Sequence, residues 1–392
     1  MSENHKTGII AVVKREVERM VSRPIYLVMT LIIPLVTYIF FITLLNNGLP
    51  DKMPIAIVDM DNSSISRLLV RQLDATQQSR VVSKLPNFNE ANRQMQEGSI
   101  YAFVVIPENF QADIVAGRQP EVPFYTQNAY YIAGSLLMKD MAFTIAMIVG
   151  GTNLQMRLAK GQSEDYAMSQ IQPITVDVNS MGNAWINYSV YLSTTMLPGM
   201  LQIMILIVTV FSVGTELKYR TSREWLITGN KSILKSVIGK LFPYTIIFTL
   251  LVLLSNVLLF RYLQFPFLGS TWQMVSGSLL FVLAQQGLGL FLIGLLPVLR
   301  DGLTMTAIFG TLAVSFSGLT FPIEGMLSSI QAWSVVFPLR HYFLIYVSQA
   351  LTGAEIVTSW PSYLALLAFA LLPITILLRL KKAAVRLNFK PD

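Results

Sequence analysis

The sequence predicts an α-helical integral membrane protein with six transmembrane helices and an inserted α/β extracytoplasmic domain between the first and second spans. Three observations predict it. Residues 25–45, 190–213, 241–260, 272–296, 303–321 and 360–378 are apolar runs without an Asp, Glu, Lys or Arg. Each is about 20 residues, the length at which a helix crosses roughly 30 Å of hydrocarbon. Basic residues crowd alternate connections, and residues 46–187 carry the strand-and-helix rhythm of a separately folded domain. Composition agrees: 53% hydrophobic and 13% charged residues lie far from a water-soluble domain, of which about one quarter is charged.

Residues 1–24 read as a cytoplasmic amphipathic helix, with Ile9, Ile10, Val13, Val17, Met20 and Val21 on one face and Lys14, Arg15, Glu18 and Arg19 opposite. The first span, 25–45, is long, begins late and lacks a small-residue cleavage motif before Asp51, so it is expected to persist as an anchor. Five basic residues precede it, six follow the second span (Lys218, Arg220, Arg223, Lys231, Lys235, Lys240), Arg300 follows the fourth and five follow the sixth. The two short opposite loops hold only Arg261 and Arg340. By the positive-inside rule both termini are cytoplasmic.

The insert 46–187 has ten Lys/Arg against thirteen Asp/Glu, so the chain's +7 arises elsewhere and reflects topology rather than nucleic-acid binding. Residues 55–59 read as a buried strand, followed by a helix capped by Asn62 or Ser63 and carrying Ile65, Leu68, Leu69 and Leu73. Val81 and Val82 mark a second strand, 87–97 a helix closed by Gly98, and 101–106 a third strand. Pro107 is expected at the first position of a helix carrying Phe110, Ile114 and Val115, and 121–126 is a fourth strand in a parallel or mixed sheet. A long helix follows over 129–160; its apolar centre, 141–149, is too short to span a bilayer and is expected to face a core or rest on the membrane.

Residues 188–378 hold the remaining five spans, a cytoplasmic loop at 214–240 and an outer segment at 322–359. Pro338, Arg340 and His341 interrupt the apolar stretch 332–347, so 326–351 reads as one or two short helices dipping into or lying on the outer face. Residues 379–392 form a basic cytoplasmic tail. Polar residues within the spans, Thr194, Thr195, Asn256, Gln285, Gln286, Ser315 and Ser317, are candidates for a translocation pathway. Gln285 and Gln286 sit mid-span, where an unpaired amide costs several kcal/mol, and hydrogen bonding between helices is favoured over substrate contact. Pro198 and Gly199 are expected to kink the second span.

Catalytic chemistry is missing from the sequence. There is no Cys, and the two histidines, His5 and His341, have no metal-ligand spacing. In Gly229-Asn230-Lys231-Ser232 an Asn separates Gly from Lys, and Glu224 stands where the upstream Gly of a phosphate loop belongs. Asp59, Asp61 and Asn62 lack the Gly and bidentate Glu of a calcium loop, which leaves helix capping as their role. The chain is thus expected to be no enzyme, with no cofactor of its own. Spans without an acid or base also argue against an ion-coupled carrier.

The loop opens amphipathically: Leu217, Tyr219, Trp225 and Leu226 can rest on the membrane interface while Lys218, Arg220 and Arg223 face water. Glu216 through Thr221, Glu224 and Leu226, on to Gly239-Lys240-Leu241, resembles the coupling loop of ABC transporter type-2 permeases. Val58 to Ser63, Val105 to Phe110, Leu197-Pro198-Gly199, Ser317-Gly318-Leu319-Thr320-Phe321-Pro322 and Phe337 to Tyr342 are similar to further motifs of that family, in the same order. Arg220-Thr221-Ser222-Arg223 departs from the usual Glu-x-Gly-Thr, and Tyr188 from an Asn-Pro pair.

The resemblance implies the permease subunit of an exporter, expected in the bacterial inner membrane. Spans with hydroxyls, amides and apolar groups but no charges suit an amphipathic, lipid-like or drug-like substrate, whose identity stays open. The resemblance also implies ATP and Mg on a separate ATPase docked on Glu216, Lys218, Arg220, Thr221, Arg223, Glu224, Trp225 and Leu226. The interfacial helix would add Val13, Lys14, Arg15 and Val17. It further implies a second identical or paralogous chain, contact with a periplasmic adaptor, and an outer gate at Ser317, Gly318, Phe321, Pro322, Pro338, Arg340 and His341. The competing reading is a membrane-anchored receptor or phage-adsorption protein whose α/β domain binds without transport.

Overall fold

The computed structural model describes residues 7–45, 48–118, 120–172, 187–318 and 321–386. His5, Leu319, Thr320 and Lys390 lie outside them. The chain divides into two compact units, Asn47–Asn179 and the flanking Met1–Asn46 with Ser180–Asp392.

The first unit begins with α1 (Ile9–Ser22), then α2 (Pro24–Leu27), a π-turn over Val28–Ile32 and α3 (Ile33–Leu44), the last three running on as one helix, Pro24–Leu44.

The second unit is an α/β fold: β1 (Met53–Asp59), α4 (Ser64–Ala75), β2 (Ser79–Lys84), α5 (Phe88–Gln96), β3 (Ala102–Ile106), α6 (Phe110–Val115), β4 (Phe124–Thr126), α7 (Tyr131–Ala159) and α8 (Glu164–Ile171). The sheet is mixed, in order β2-β1-β3-β4, parallel except for β3 with β4. The central strands are apolar at nearly every position because both faces are covered. Ile55, Ile57, Val104 and Ile106 point to Leu69, Leu73, Phe110 and Met141, while Ala56, Val58, Phe103 and Val105 point to Ala91 and Ile100. That is the two-residue alternation of a strand between layers.

Caps fix the helix starts: the side chains of Ser63 and Asn87 accept from the backbone N–H of Ser66 and Glu90 at 3.1 and 3.0 Å. Asp59 accepts from the N–H groups of Asp61 and Asn62 and from the Ser66 hydroxyl, which is turn chemistry. Pro107 is not the first residue of α6, contrary to expectation. A turn intervenes, with Asn109 at φ +61°, and the helix starts at Phe110.

The chain returns to the helical unit as α9 (Tyr188–Lys218), α10 (Ser222–Thr228), α11 (Ile233–Val257, continued by a π-turn to Tyr262), α12 (Thr271–Leu295), α13 (Leu299–Ser315), α14 (Ser328–Ser334), α15 (Pro338–Tyr346), α16 (Ile356–Leu371) and α17 (Leu377–Arg386). Among the described residues six helices are long and apolar enough to cross a membrane: Pro24–Leu44, Tyr131–Ala159, Tyr188–Lys218, Ile233–Tyr262, Thr271–Leu295 and Ile356–Arg386. The number is the one the sequence predicts, but the set differs. The expected fifth span, 303–321, is a 17-residue helix of about 25 Å that ends at Ser315, because the backbone turns at Gly318 with φ +92°. The long helix expected over 129–160 is α7, 29 residues, and it buries Leu137, Met141 and Ile148 in the sheet's core.

Glycines let the long helices approach one another. α9 packs on α12 and α13, and α12 on α16. A Cβ at Gly310 would meet Ile203 at 2.8 Å, one at Gly289 would meet Thr209 at 3.0 Å, and one at Gly287 would stand 2.1 Å from the Phe369 carbonyl oxygen. Close backbone packing of this kind is what holds helices together in lipid, where apolar burial gives little drive. Gly287→Ala should therefore part α12 from α16 and cost about 1–3 kcal/mol, read as a lower unfolding midpoint of the purified protein. Gly151→Ala, whose Cβ meets nothing within 4 Å, should leave the midpoint unchanged or raised.

Candidate functional site

The strongest concentration of chemistry among the described residues lies where α1, the end of α9, α10 and the start of α11 meet. Glu216, in the last turn of α9, is fully buried, and its two oxygens accept five hydrogen bonds. Arg15 grips it with both terminal nitrogens, at 2.7 and 3.1 Å. Arg19 and the Thr221 hydroxyl also donate to it. Lys240, buried in α11, donates at 3.0 Å to Glu216 and at 2.5 Å to Glu16, whose other oxygen accepts from the Tyr244 hydroxyl at 2.7 Å.

Three cations thus face two buried carboxylates. Glu224, 4.0 Å from Arg15 and exposed, brings the local charge to balance. Burial works against the Arg15 guanidinium, but the hydrogen bond and charge of Glu216 outweigh it and hold Arg15 above its ordinary value. Tyr26 closes the cluster, with its hydroxyl 3.4 Å from that of Thr215 and its ring beneath Arg19.

Local sequence explains the assembly. On α1, Val12, Glu16 and Arg19 are four and three residues apart and form one stripe; Val12 and Glu16 are buried and Arg19 nearly so. Gly239 admits that stripe, since a Cβ there would meet the Ile9 carbonyl and Val12 Cβ at 2.8 Å. The apolar side chains of Ile10, Val17 and Val21 are exposed on the protein, free for the interface expected of them, whereas Arg15 and Arg19, assigned to water, turn inward. Paired charge overrides apolar periodicity here, because Glu216 and Lys240 supply partners that α1 lacks by itself.

The loop is equally well tied. Arg220 at φ +58° ends α9, and Asn230 and Lys231 at +58° and +57° follow α10. Trp225 is fully buried; its indole N–H donates to the Ser236 carbonyl at 3.1 Å, and Lys240 lies 5.5 Å over its ring. Leu217 and Leu226 are buried too, so of the four residues expected on the membrane interface only Tyr219 is exposed. Gly8 N–H bonds the Thr228 carbonyl at 2.8 Å, joining α1 to α10. Ser222 and Arg223 bond the carbonyls of Ala384 and Val385, joining α10 to α17. Of the predicted docking residues, Glu216, Trp225 and Leu226 face inward, while Lys218, Arg220, Arg223 and Glu224 face outward. On α1, Lys14 and Val17 are exposed and Val13 and Arg15 partly buried.

The predicted pathway residues bond mostly within the bundle. Gln285 donates to Gln202 at 2.9 Å and Gln202 to the Gly310 carbonyl at 3.0 Å, a chain across α12, α9 and α13. Gln286 accepts from Thr245, and Asn256 donates to Ser278. Thr194 and Ser317 bond carbonyls of their own turns, Thr195 is buried, and Ser315 is exposed. Near the predicted outer gate, a Cβ at Gly318 would approach Arg340 at 3.4 Å, and His341 Nε2 lies 3.0 Å from the Val335 carbonyl. Pro338 is buried, Phe321 and Pro322 are exposed. Lys240 was reached by sequence only as part of the Gly239-Lys240-Leu241 motif, and Glu16, Tyr244 and Gln202 were not picked out as site residues.

A family model described as ABC-2 family transporter protein matches residues 24–379, beginning just after α1. The chain is also similar to the linearmycin resistance permease protein LnrN of Bacillus subtilis (strain 168), 31% identical over 99 residues. That match spans 25% of this chain and 25% of the relative's length.

Lys240→Met should cost about 3 kcal/mol or more, because it leaves Glu16 and Glu216 short of a charge in a buried site. In Lys240→Met/Glu16→Gln the loss should fall at least about 1 kcal/mol short of the sum of the single losses. Additive losses in the unfolding of all three variants would contradict a shared cluster.

Proposed function

The chain belongs to the ABC-2 transporter family, and from that premise we propose that it is the membrane-spanning permease subunit of an ATP-driven exporter. The observation that carries the mechanism is the Glu216 hub, which binds α1, α9, α10 and α11 into one body behind an outward row of Lys218, Arg220, Arg223 and Glu224.

A separate ATPase, holding ATP and Mg, docks on that row from the cytoplasm. Its closure displaces α10, and because the Thr221 and Arg15 bonds to the buried Glu216 are charge-assisted, the displacement reaches α9 and α11 as rigid-body motion rather than as loop bending. Two chains, identical or paralogous, pair to enclose the pathway. Among the described residues the membrane helices present amides, hydroxyls and apolar groups to one another, which suits an amphipathic cargo better than an ion. The resistance role in the printed name of the LnrN relative supports outward transport of such a compound. Both termini then face the cytoplasm of a bacterial inner membrane, the α/β domain lies on the far side, and a periplasmic adaptor can meet it there.

The test is co-purification of the full-length chain with its cognate ABC ATPase, and nucleotide-dependent uptake of a fluorescent amphiphile into inverted vesicles containing both. Arg220→Glu/Arg223→Glu should release the ATPase and lower transport at least tenfold. A chain that binds no ATPase, as a receptor would, or that transports without nucleotide, contradicts the reading.

A further inference from the structure

We infer that the α/β domain carries a binding site for an amphiphile bearing a protonated amine, built between α4 and α7 around Asp140. A cavity of about 560 Å³ opens there, within the range of small-molecule sites. Its wall includes Phe143, Met147 and Ile148 of α7, its rim the amides of Gln72, Gln77 and Gln155, and Asp140 lines it.

Asp140 Oδ2 is buried, yet no donor among the described residues reaches it. A buried carboxylate oxygen without a donor costs about 1–3 kcal/mol or more, and native structures avoid that state unless it has a use. A carboxylate only accepts, so its complement must donate; an ammonium does so with charge assistance, roughly doubling the bond's strength. Among the described residues no cation pairs with it: Lys52 instead bonds the carbonyls of Asp74 and Thr76 at 3.3 and 3.1 Å, and the side chain of the adjacent Lys139 is exposed.

The other half of the ligand is set by Phe143 and Met147, large apolar side chains 66% and 61% exposed, one and two helical turns along α7 from Asp140 and lining the same cavity. They offer a surface for an aromatic or aliphatic body attached to the amine. The site stands on Asp140 and its cavity, and does not depend on the transport reading.

The probes are 4-phenylbutylammonium, 4-phenylbutanol and 4-phenylbutyrate, titrated by ligand-observed NMR against the full-length protein in phosphatidylcholine nanodiscs, with empty nanodiscs as reference. The ammonium should bind saturably and at least tenfold more tightly than the alcohol or the carboxylate. Asp140→Asn should erase that preference, while Phe143→Ala should weaken the ammonium and the alcohol alike. Equal affinities for the three probes in the wild type, or a preference that survives Asp140→Asn, would overturn the site. Should Asp140→Asn fail to fold, an ammonium affinity unchanged by Phe143→Ala, a change at an exposed side chain, would overturn it equally.

Discussion

One carboxylate governs the arrangement of the helical unit. Glu216 is fully buried, and a charge in that position is tolerable only while its partners stay in place. Those partners come from α1, from the loop residue Thr221 and from α11, so none of these elements can move without breaking a buried charged contact. The same rule draws Lys240 inside: it answers Glu16 and Glu216 together, and Tyr244 occupies the second oxygen of Glu16.

Charge and amide chemistry are segregated along the bundle. The cluster occupies the ends of α9 and α11, where their charge-free runs give way to the loop, whereas the interior is tied by neutral bonds such as Gln285 to Gln202 and Thr245 to Gln286. Glycines at 289 and 310 bring α12 and α13 close to α9, where Gln202 bonds Gln285 and the Gly310 carbonyl. The result is a unit whose middle is held by packing and weak polar links and whose loop end is held by a tight ionic knot. A push on α10 enters at the stiff end.

Much of this was legible in the residues. Charge-free runs located five of the long membrane-type helices, and the apolar strands 55–59 and 101–106, with Ser63 and Asn87 as caps, laid out most of the sheet domain. The fifth run holds α13, but the helix begins earlier and stops at Ser315 while apolar character continues, and only the backbone at Gly318 reveals the turn. α7 was legible nearly to the residue, since Lys139 and Asp140 break its apolar run without breaking its helix. The orientation of α1 was illegible for a deeper reason. Hydrophobic periodicity assigns charges to water by default, and Arg15 and Arg19 reverse that default only through Glu216, about 200 positions later in the chain. Trp225 followed the same logic: an aromatic in a basic loop resembles an interface anchor until Ser236 appears as its hydrogen-bond partner.

The central claim, that Glu216 locks α1 onto the bundle, is tested most directly by spin labels at Ile10 and Ile238. Both side chains are exposed, and the chain has no native cysteine to compete for the label. Pulsed dipolar spectroscopy on the full-length protein in nanodiscs should give a single narrow distance between α1 and α11 in the wild type and a broad, longer distribution in Glu216→Gln. An unchanged narrow distance in Glu216→Gln would show that α1 is held by something other than the buried charges.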